Sequence, residues 1–109
     1  MLVKPIQAPE LAAWLADEGR AKPVLLDVRE PWETQVCRIP GSEFAPMQTV
    51  PQKIDELDTE RDIVCVCHHG GRSLHVGMFL ARHGFANVFN LTGGVDAWAR
   101  QVDPAMPTY

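Results

Sequence analysis

The residues best equipped for chemistry form one contiguous run. Ile63-Val64-Cys65-Val66-Cys67 is apolar, and it empties into His68-His69-Gly70-Gly71-Arg72-Ser73. A helical pattern from Leu74 to His83 follows. The predicted order is a buried strand, a tight glycine loop opened by a cysteine, and a helix. Glycines let the backbone turn with positive φ and let amides converge on one point. The Cys67 thiol is thereby expected in a cup of N–H groups facing the positive end of a helix dipole. Such a setting favours thiolate over thiol and stabilises negative charge on whatever the sulfur becomes. Arg72 adds a permanent cation with a planar fork of donors at the mouth, and Ser73 is placed to cap the helix through its side-chain oxygen. Cys67 is the expected nucleophile, with His68, His69, Gly70, Gly71, Arg72 and Ser73 as its binding loop.

The other reactive side chains read more plainly. Cys65 lies two residues back, on the same strand face as Cys67, and suits a small core residue. Cys37 falls in a loop region and reads as a spare thiol in preference to a resolving partner of Cys67. His68, His69, His75 and His83 invite a metal, but Cys-x-Cys-His-His matches no standard zinc spacing. No metal or cofactor is expected; His68 and His69 are expected at the pocket mouth, where either can tune the thiolate or meet an acceptor. Asp27 has two readings of equal weight: it holds the loop through hydrogen bonds, or it pairs with Arg29. Trp14 and Trp98 sit on helical patterns as core residues do. Asp55, Glu56, Asp58 and Glu60 read as a solvated face.

The positioning elements follow from periodicity and punctuation. Pro9 to Ala16 reads as a short helix, with proline in its first turn, Gly19 beyond its end, and Leu11, Trp14 and Leu15 on one buried face. Val24 to Val28 is an apolar run of strand length, as in sheets covered on both faces. Arg29 to Glu33 leaves that strand, and Ile39-Pro40-Gly41-Ser42 is a turn. Glu43 to Ala45 is a short strand, and Val50 to Leu57 a modest helix with Pro51 in its first turn. Asp62 to Cys67 and Asn87 to Leu91 are further strands. Gly84 stands where a left-handed helix cap is wanted, with Phe85 placed to touch Leu80. Gly93-Gly94 is a turn, Val95 to Arg100 a last helix, and Val102 to Tyr109 a tail wrapping the surface. Strands alternating with helices predict an α/β fold, a mostly parallel central sheet flanked by helices. Ligands in that architecture sit at the carboxyl ends of strands, where both Asp27-Val28-Arg29 and Cys67-to-Arg72 fall.

Length and composition set the bounds. At 109 residues the chain is expected to fold as a single domain, 1–109. Its 46% apolar and 22% charged residues are ordinary globular composition, and its net charge of −4 excludes a general electrostatic partnership with nucleic acid or an anionic membrane. No window reaches the ~18 consecutive apolar residues of a membrane span. Met1 to Pro5 shows no secretory apolar core. Three cysteines, two of them on one strand, point away from a disulfide scaffold and toward a reducing cytoplasm.

Four ordered landmarks carry a family resemblance. Cys67-His68-His69-Gly70-Gly71-Arg72-Ser73 resembles the active-site loop of the rhodanese sulfurtransferases. Leu26-Asp27-Val28-Arg29-Glu30 resembles the family's first signature, Ile39-Pro40-Gly41-Ser42 its second, and Leu91-Thr92-Gly93-Gly94-Val95-Asp96-Ala97-Trp98 its last. Together they span about residues 25 to 98. One departure stands out: Cys37-Arg38 precedes the Ile-Pro-Gly signature where the family often has Gly-His. The resemblance implies a single rhodanese domain, with Asp27 and Arg29 supporting the site. It implies that a Cys67 thiolate takes the outer sulfur from a small anionic donor such as thiosulfate, forming a persulfide. Cyanide or a thiol, including a protein thiol, then accepts it. Two other functions compete. Cysteine phosphatases and arsenate reductases use a similar cup, but the phosphatases typically place one more residue between cysteine and arginine than the four found here. Rhodanese-like binding modules can lose the cysteine, which this chain retains; a sulfur relay to a partner protein survives as a variant.

Overall fold

The computed structural model describes residues 2–109. Five strands, β1 (Val3–Ile6), β2 (Val24–Asp27), β3 (Glu43–Phe44), β4 (Ile63–Val66) and β5 (Val88–Leu91), form one sheet in the order β1-β5-β4-β2-β3. Every pairing is parallel. The helices are α1 (Ala8–Ala16), α2 (Pro31–Val36), α3 (Val50–Lys53), α4 (Gly71–Arg82) and α5 (Gly94–Gln101). The α/β fold with a parallel central sheet is thus as the alternation of elements predicts. Among the described residues, no helix is long and apolar enough to cross a membrane.

β4 shows why its sequence is apolar without alternation. All four of its residues are buried, because helices cover both faces. Val64 and Val66 join Leu11, Trp14, Val95 and Trp98 in one apolar layer. Ile63 and Cys65 join Val76, Leu80, Phe85 and Val88 in the other. Cys67 belongs to this second layer, the one that α4 covers. The strand therefore delivers the side chain just past its end, Cys67, to the layer that α4 covers.

Two elements escape the sequence pattern. β1 is an edge strand of four residues containing Pro5, and only Val3 and Ile6 are buried. Edge placement tolerates that proline, but leaves no apolar run to detect. α2 lasts six residues, too short for a periodicity of 3.6 to register. Its signals are local: Pro31 at the first position, and Glu33, whose Oε1 accepts the Glu30 N–H at 3.0 Å. Two predicted elements are also redrawn. Val50 to Leu57 divides into α3 and a tighter 3-10 turn, Ile54–Glu56. α4 begins at Gly71, three residues before the expected Leu74, because Gly70 takes φ 109° and serves as its cap. At the other end, Gly84 (φ 93°) is the left-handed residue expected, and the Phe85 N–H returns to the Leu80 carbonyl at 3.2 Å.

The start of α5 presses against the segment leaving β4. The Val95 N–H donates to the Cys67 carbonyl at 2.9 Å, and the Asp96 N–H to the His68 carbonyl at 3.2 Å. Gly94 makes this approach possible: its φ is 60°, and a Cβ there would collide with both of those carbonyl oxygens. Gly94→Ala should therefore destabilise the fold by about 2–4 kcal/mol, the range of backbone strain combined with a core clash. Gly84→Ala, with φ 93° but nothing within 4 Å of its added Cβ, should cost only about 1–2 kcal/mol. Urea melts of the two variants decide it; equal losses would mean that strain alone, and not the contact with the loop, sets the cost.

Candidate active site

Cys67 directly follows β4, with 1% of its surface exposed. Its sulfur accepts the Gly70 N–H at 3.0 Å and the Ser73 N–H at 3.4 Å, and the Ser73 hydroxyl lies 3.2 Å away. The amide cup expected from the sequence is present, at the amino end of the twelve-residue α4. Its two glycines do different jobs. Gly70 needs its left-handed backbone, and a Cβ on it would meet the backbone of Leu91 and Gly93 at 3.4 Å. Gly71 is already helical, has no such φ, and faces open space.

Ser73 does not cap α4 as expected; Gly70 holds the cap position, and Ser73 stands inside the first turn. Its hydroxyl donates to Asn90 Oδ1 at 2.5 Å, while Asn90 Nδ2 donates to the Gly70 carbonyl at 3.1 Å. The second bond fixes which end of the amide is the acceptor. With its single proton directed at Asn90, the Ser73 hydroxyl is left as an acceptor toward sulfur across the 3.2 Å contact. Asn90 is a site residue that sequence reading missed. Its signal lies in sheet register: Asn90 is the β5 partner of Cys65, a polar side chain set against a buried strand.

Asp27 and Arg29 resolve in favour of pairing. Both side chains are fully buried and bonded at 2.7 Å, with Arg29 Nε also donating to the carboxylate. The same guanidinium donates to the carbonyls of Glu33 (3.2 Å) and Cys37 (2.7 Å), and to Tyr109 Oη at 3.0 Å. Burial alone would lower the Arg29 pKa, but its bonds to Asp27 and Tyr109 carry it above the usual value. Arg29 thus braces α2 through the carbonyl of its third residue, Glu33, and that of Cys37 just past its end.

Arg72 differs most from expectation. Its fork is closed on Glu33, with Nη1 to Oε1 at 2.7 Å and Nη2 to Oε2 at 2.8 Å. Glu33 is the second residue that sequence reading missed. Only 4% of it is exposed, and its carboxylate also accepts the Tyr109 hydroxyl at 2.7 Å. The Arg72 guanidinium above all, with help from Tyr109 and the Glu30 N–H, holds the Glu33 carboxyl at about 2 against the opposition of burial. Burial chiefly pushes the Tyr109 phenol up to about 12, so it remains a donor to Glu33.

The tail expected to wrap the surface ends over the mouth. The Tyr109 ring stacks on His68, centroids 3.9 Å apart and planes within 10°. His69 lies 3.9 Å from His68, and Trp32 meets Tyr109 edge-on. His68 is half-buried between the Tyr109 and His69 rings, and His69 is exposed. Among the described residues, the ligand-type atoms of His68, His69 and Asp96 lie within 4.8 Å of one another, a grouping that spacing along the chain conceals. Asp96 is itself engaged by Arg100 at 2.9 Å. The remaining cysteines lie outside the cup. Burial, with Cys67 as second cause, pushes the Cys65 thiol up to about 12. Cys37 is buried rather than loose, and its sulfur accepts from Arg29 Nη1 at 3.7 Å.

Because Glu33 falls from its usual 4.5 to about 2 on folding, it stabilises the native state above pH 4.5. That contribution is lost as pH falls toward 2. Wild type should lose stability more steeply than Glu33→Gln between those limits, a comparison that urea midpoints at several pH values make directly. Parallel curves would mean that the Glu33–Arg72 contact adds nothing to the fold.

The comparisons with known proteins agree with this geometry. A rhodanese-like domain profile matches residues 7–101. The chain is 38% identical, over 98% of its length, to the rhodanese-like/PpiC domain-containing protein 12 of Arabidopsis thaliana, but spans only 38% of that longer protein. It is 35% identical to a sulfurtransferase of Allochromatium vinosum, covering 91% of each chain. Among solved structures it superposes on a rhodanese-like domain protein of Staphylococcus aureus with a TM-score of 0.81 and 30% identity, covering 98% of this chain and 99% of that one. The chain belongs to the rhodanese-like domain family.

Proposed function

We propose that this protein is a sulfurtransferase that carries a sulfane sulfur on Cys67. The observation that supports this most directly is the Cys67 sulfur at the focus of the Gly70 and Ser73 amides, at the start of α4. Attacking thiolate and product persulfide are both sulfur anions, so the same donors serve each. The Cys67 thiolate attacks the outer sulfur of a donor such as thiosulfate. A bond forms between Sγ and that sulfur as the donor's S–S bond breaks, and sulfite leaves with the bonding pair. The persulfide then yields its terminal sulfur to cyanide or a thiol, including a partner protein's thiol, and the Cys67 thiolate returns.

Ser73 manages the proton that this cycle displaces. In the resting thiol it accepts from sulfur while donating to Asn90. In the thiolate its hydroxyl can turn to donate to sulfur instead. His68 and His69 stand at the entrance that an acceptor must pass. The family relationship adds weight through the Allochromatium vinosum sulfurtransferase, which this chain matches nearly end to end. The three free thiols suit a reducing cytoplasm, where a thiol acceptor is abundant.

Cys67→Ser should abolish sulfur transfer from thiosulfate to cyanide. Cys65→Ala and Cys37→Ser should keep most of it, since one sits in the core and the other needs only an acceptor for Arg29. Mass spectrometry after donor treatment should find one added sulfur on Cys67 and none in Cys67→Ser. Loss of activity in Cys37→Ser equal to that in Cys67→Ser would replace this chemistry with a two-cysteine redox mechanism.

A further inference from the structure

The mouth of the Cys67 cup contains a cation whose anion seat is already filled. Arg72 offers the planar fork that would clamp a sulfonate-type donor, yet both of its terminal nitrogens are spent on Glu33. Arg29 is closed on Asp27, and Arg100 on Asp96. Glu33 cannot swing aside cheaply. Its carboxylate accepts four hydrogen bonds, from Arg72 twice, from Tyr109 and from the Glu30 N–H. Each of those donors would have to find another acceptor.

The Gly70 and Ser73 amides point at sulfur, while Arg72, the cation shaped to clamp a second anionic group, is spent on Glu33. A thiosulfate dianion brings two charges to a site whose Arg72 cation is already neutralised by Glu33, on a protein of net charge −4. A thiosulfonate or an organic persulfide whose leaving group carries no further negative charge meets less repulsion.

We propose that Glu33 is a specificity-determining residue that turns the site away from dianionic sulfur donors and toward donors carrying a single negative charge. This rests on the sulfurtransferase reading above. Methanethiosulfonate is the matched probe, since it replaces one anionic oxygen of thiosulfate with a methyl group. The Cys67 thiolate attacks its sulfane sulfur, the bond from Sγ to that sulfur forms, and the donor's S–S bond breaks. Methanesulfinate leaves with the electron pair, and the total charge is unchanged. The thiosulfate reaction is the same with sulfite as the leaving group.

The experiment compares the rates at which thiosulfate and methanethiosulfonate load sulfur onto Cys67, each divided by that donor's rate with free cysteine thiolate. Wild type should prefer methanethiosulfonate by about tenfold after this correction, and Glu33→Gln should raise the thiosulfate rate about tenfold more than the methanethiosulfonate rate. Glutamine can still accept the Glu30 N–H; if the variant nevertheless fails to fold, the corrected wild-type ratio decides alone. A corrected ratio near one, or equal changes for both donors in Glu33→Gln, overturns donor selection by Glu33 while leaving the sulfurtransferase reading intact. No sulfur on Cys67 from either donor overturns the sulfurtransferase reading, and this assignment with it.

Discussion

A fully buried arginine is a demand that the surrounding fold has to meet. Arg29 cannot shed its proton, so every donor it brings into the interior needs an acceptor. Asp27 supplies the opposite charge, and the Glu33 and Cys37 carbonyls and the Tyr109 hydroxyl supply the rest. Those acceptors come from the end of β2, from within α2 and just past it, and from a residue eighty positions away along the chain. The ion pair adds little net stability by itself, since desolvation offsets the attraction. Its effect is geometric: α2 and Tyr109 are fixed where Arg29 is satisfied. From Tyr109 the chain of bonds runs to Glu33, and from Glu33 to Arg72 above the sulfur. The charge state of the mouth is thus set by a requirement of the interior.

The sulfur itself is placed by a second constraint, the close packing of two backbone segments. α5 begins so near the loop that its first amides bind the carbonyls of Cys67 and His68, and only a glycine at position 94 permits it. With those carbonyls turned toward α5, the Gly70 and Ser73 N–H groups are left to converge on sulfur. Asn90 closes the arrangement from β5 by holding the Gly70 carbonyl and the Ser73 hydroxyl together. Three elements that lie apart in sequence therefore fix one thiol.

How much of this was legible depends on whether the information is local. β4, its loop and α4 could be read because a buried parallel strand is a continuous apolar run and a glycine loop is visible as composition. Cys67, Gly70 and the cup followed from a few neighbouring residues. Glu33, Asn90 and Tyr109 could not be read in the same way. Glu33 reaches Arg72 across 39 positions, Asn90 reaches Ser73 across 17, and Tyr109 reaches Glu33 across 76. No periodicity encodes those meetings. Arg72 illustrates the result: its type and position were evident, but whether its charge was free depended on a partner from another element.

Cys65 and Cys67 show how little of a thiol's chemistry resides in its position along a strand. They are two residues apart, in the same apolar layer, and both are almost wholly buried. Around Cys65 burial, with the other thiol as second cause, strongly disfavours the anion. Around Cys67, one step past the end of the sheet, the backbone has turned and its amides are no longer engaged in strand pairing. Ladder hydrogen bonds consume donors inside a sheet; the first residues beyond it have donors to give. A nucleophile at the end of a strand combines the precise placement of the sheet with the unspent amides of the loop. That combination is why the proposed nucleophile is the last of the apolar run and not the one before it.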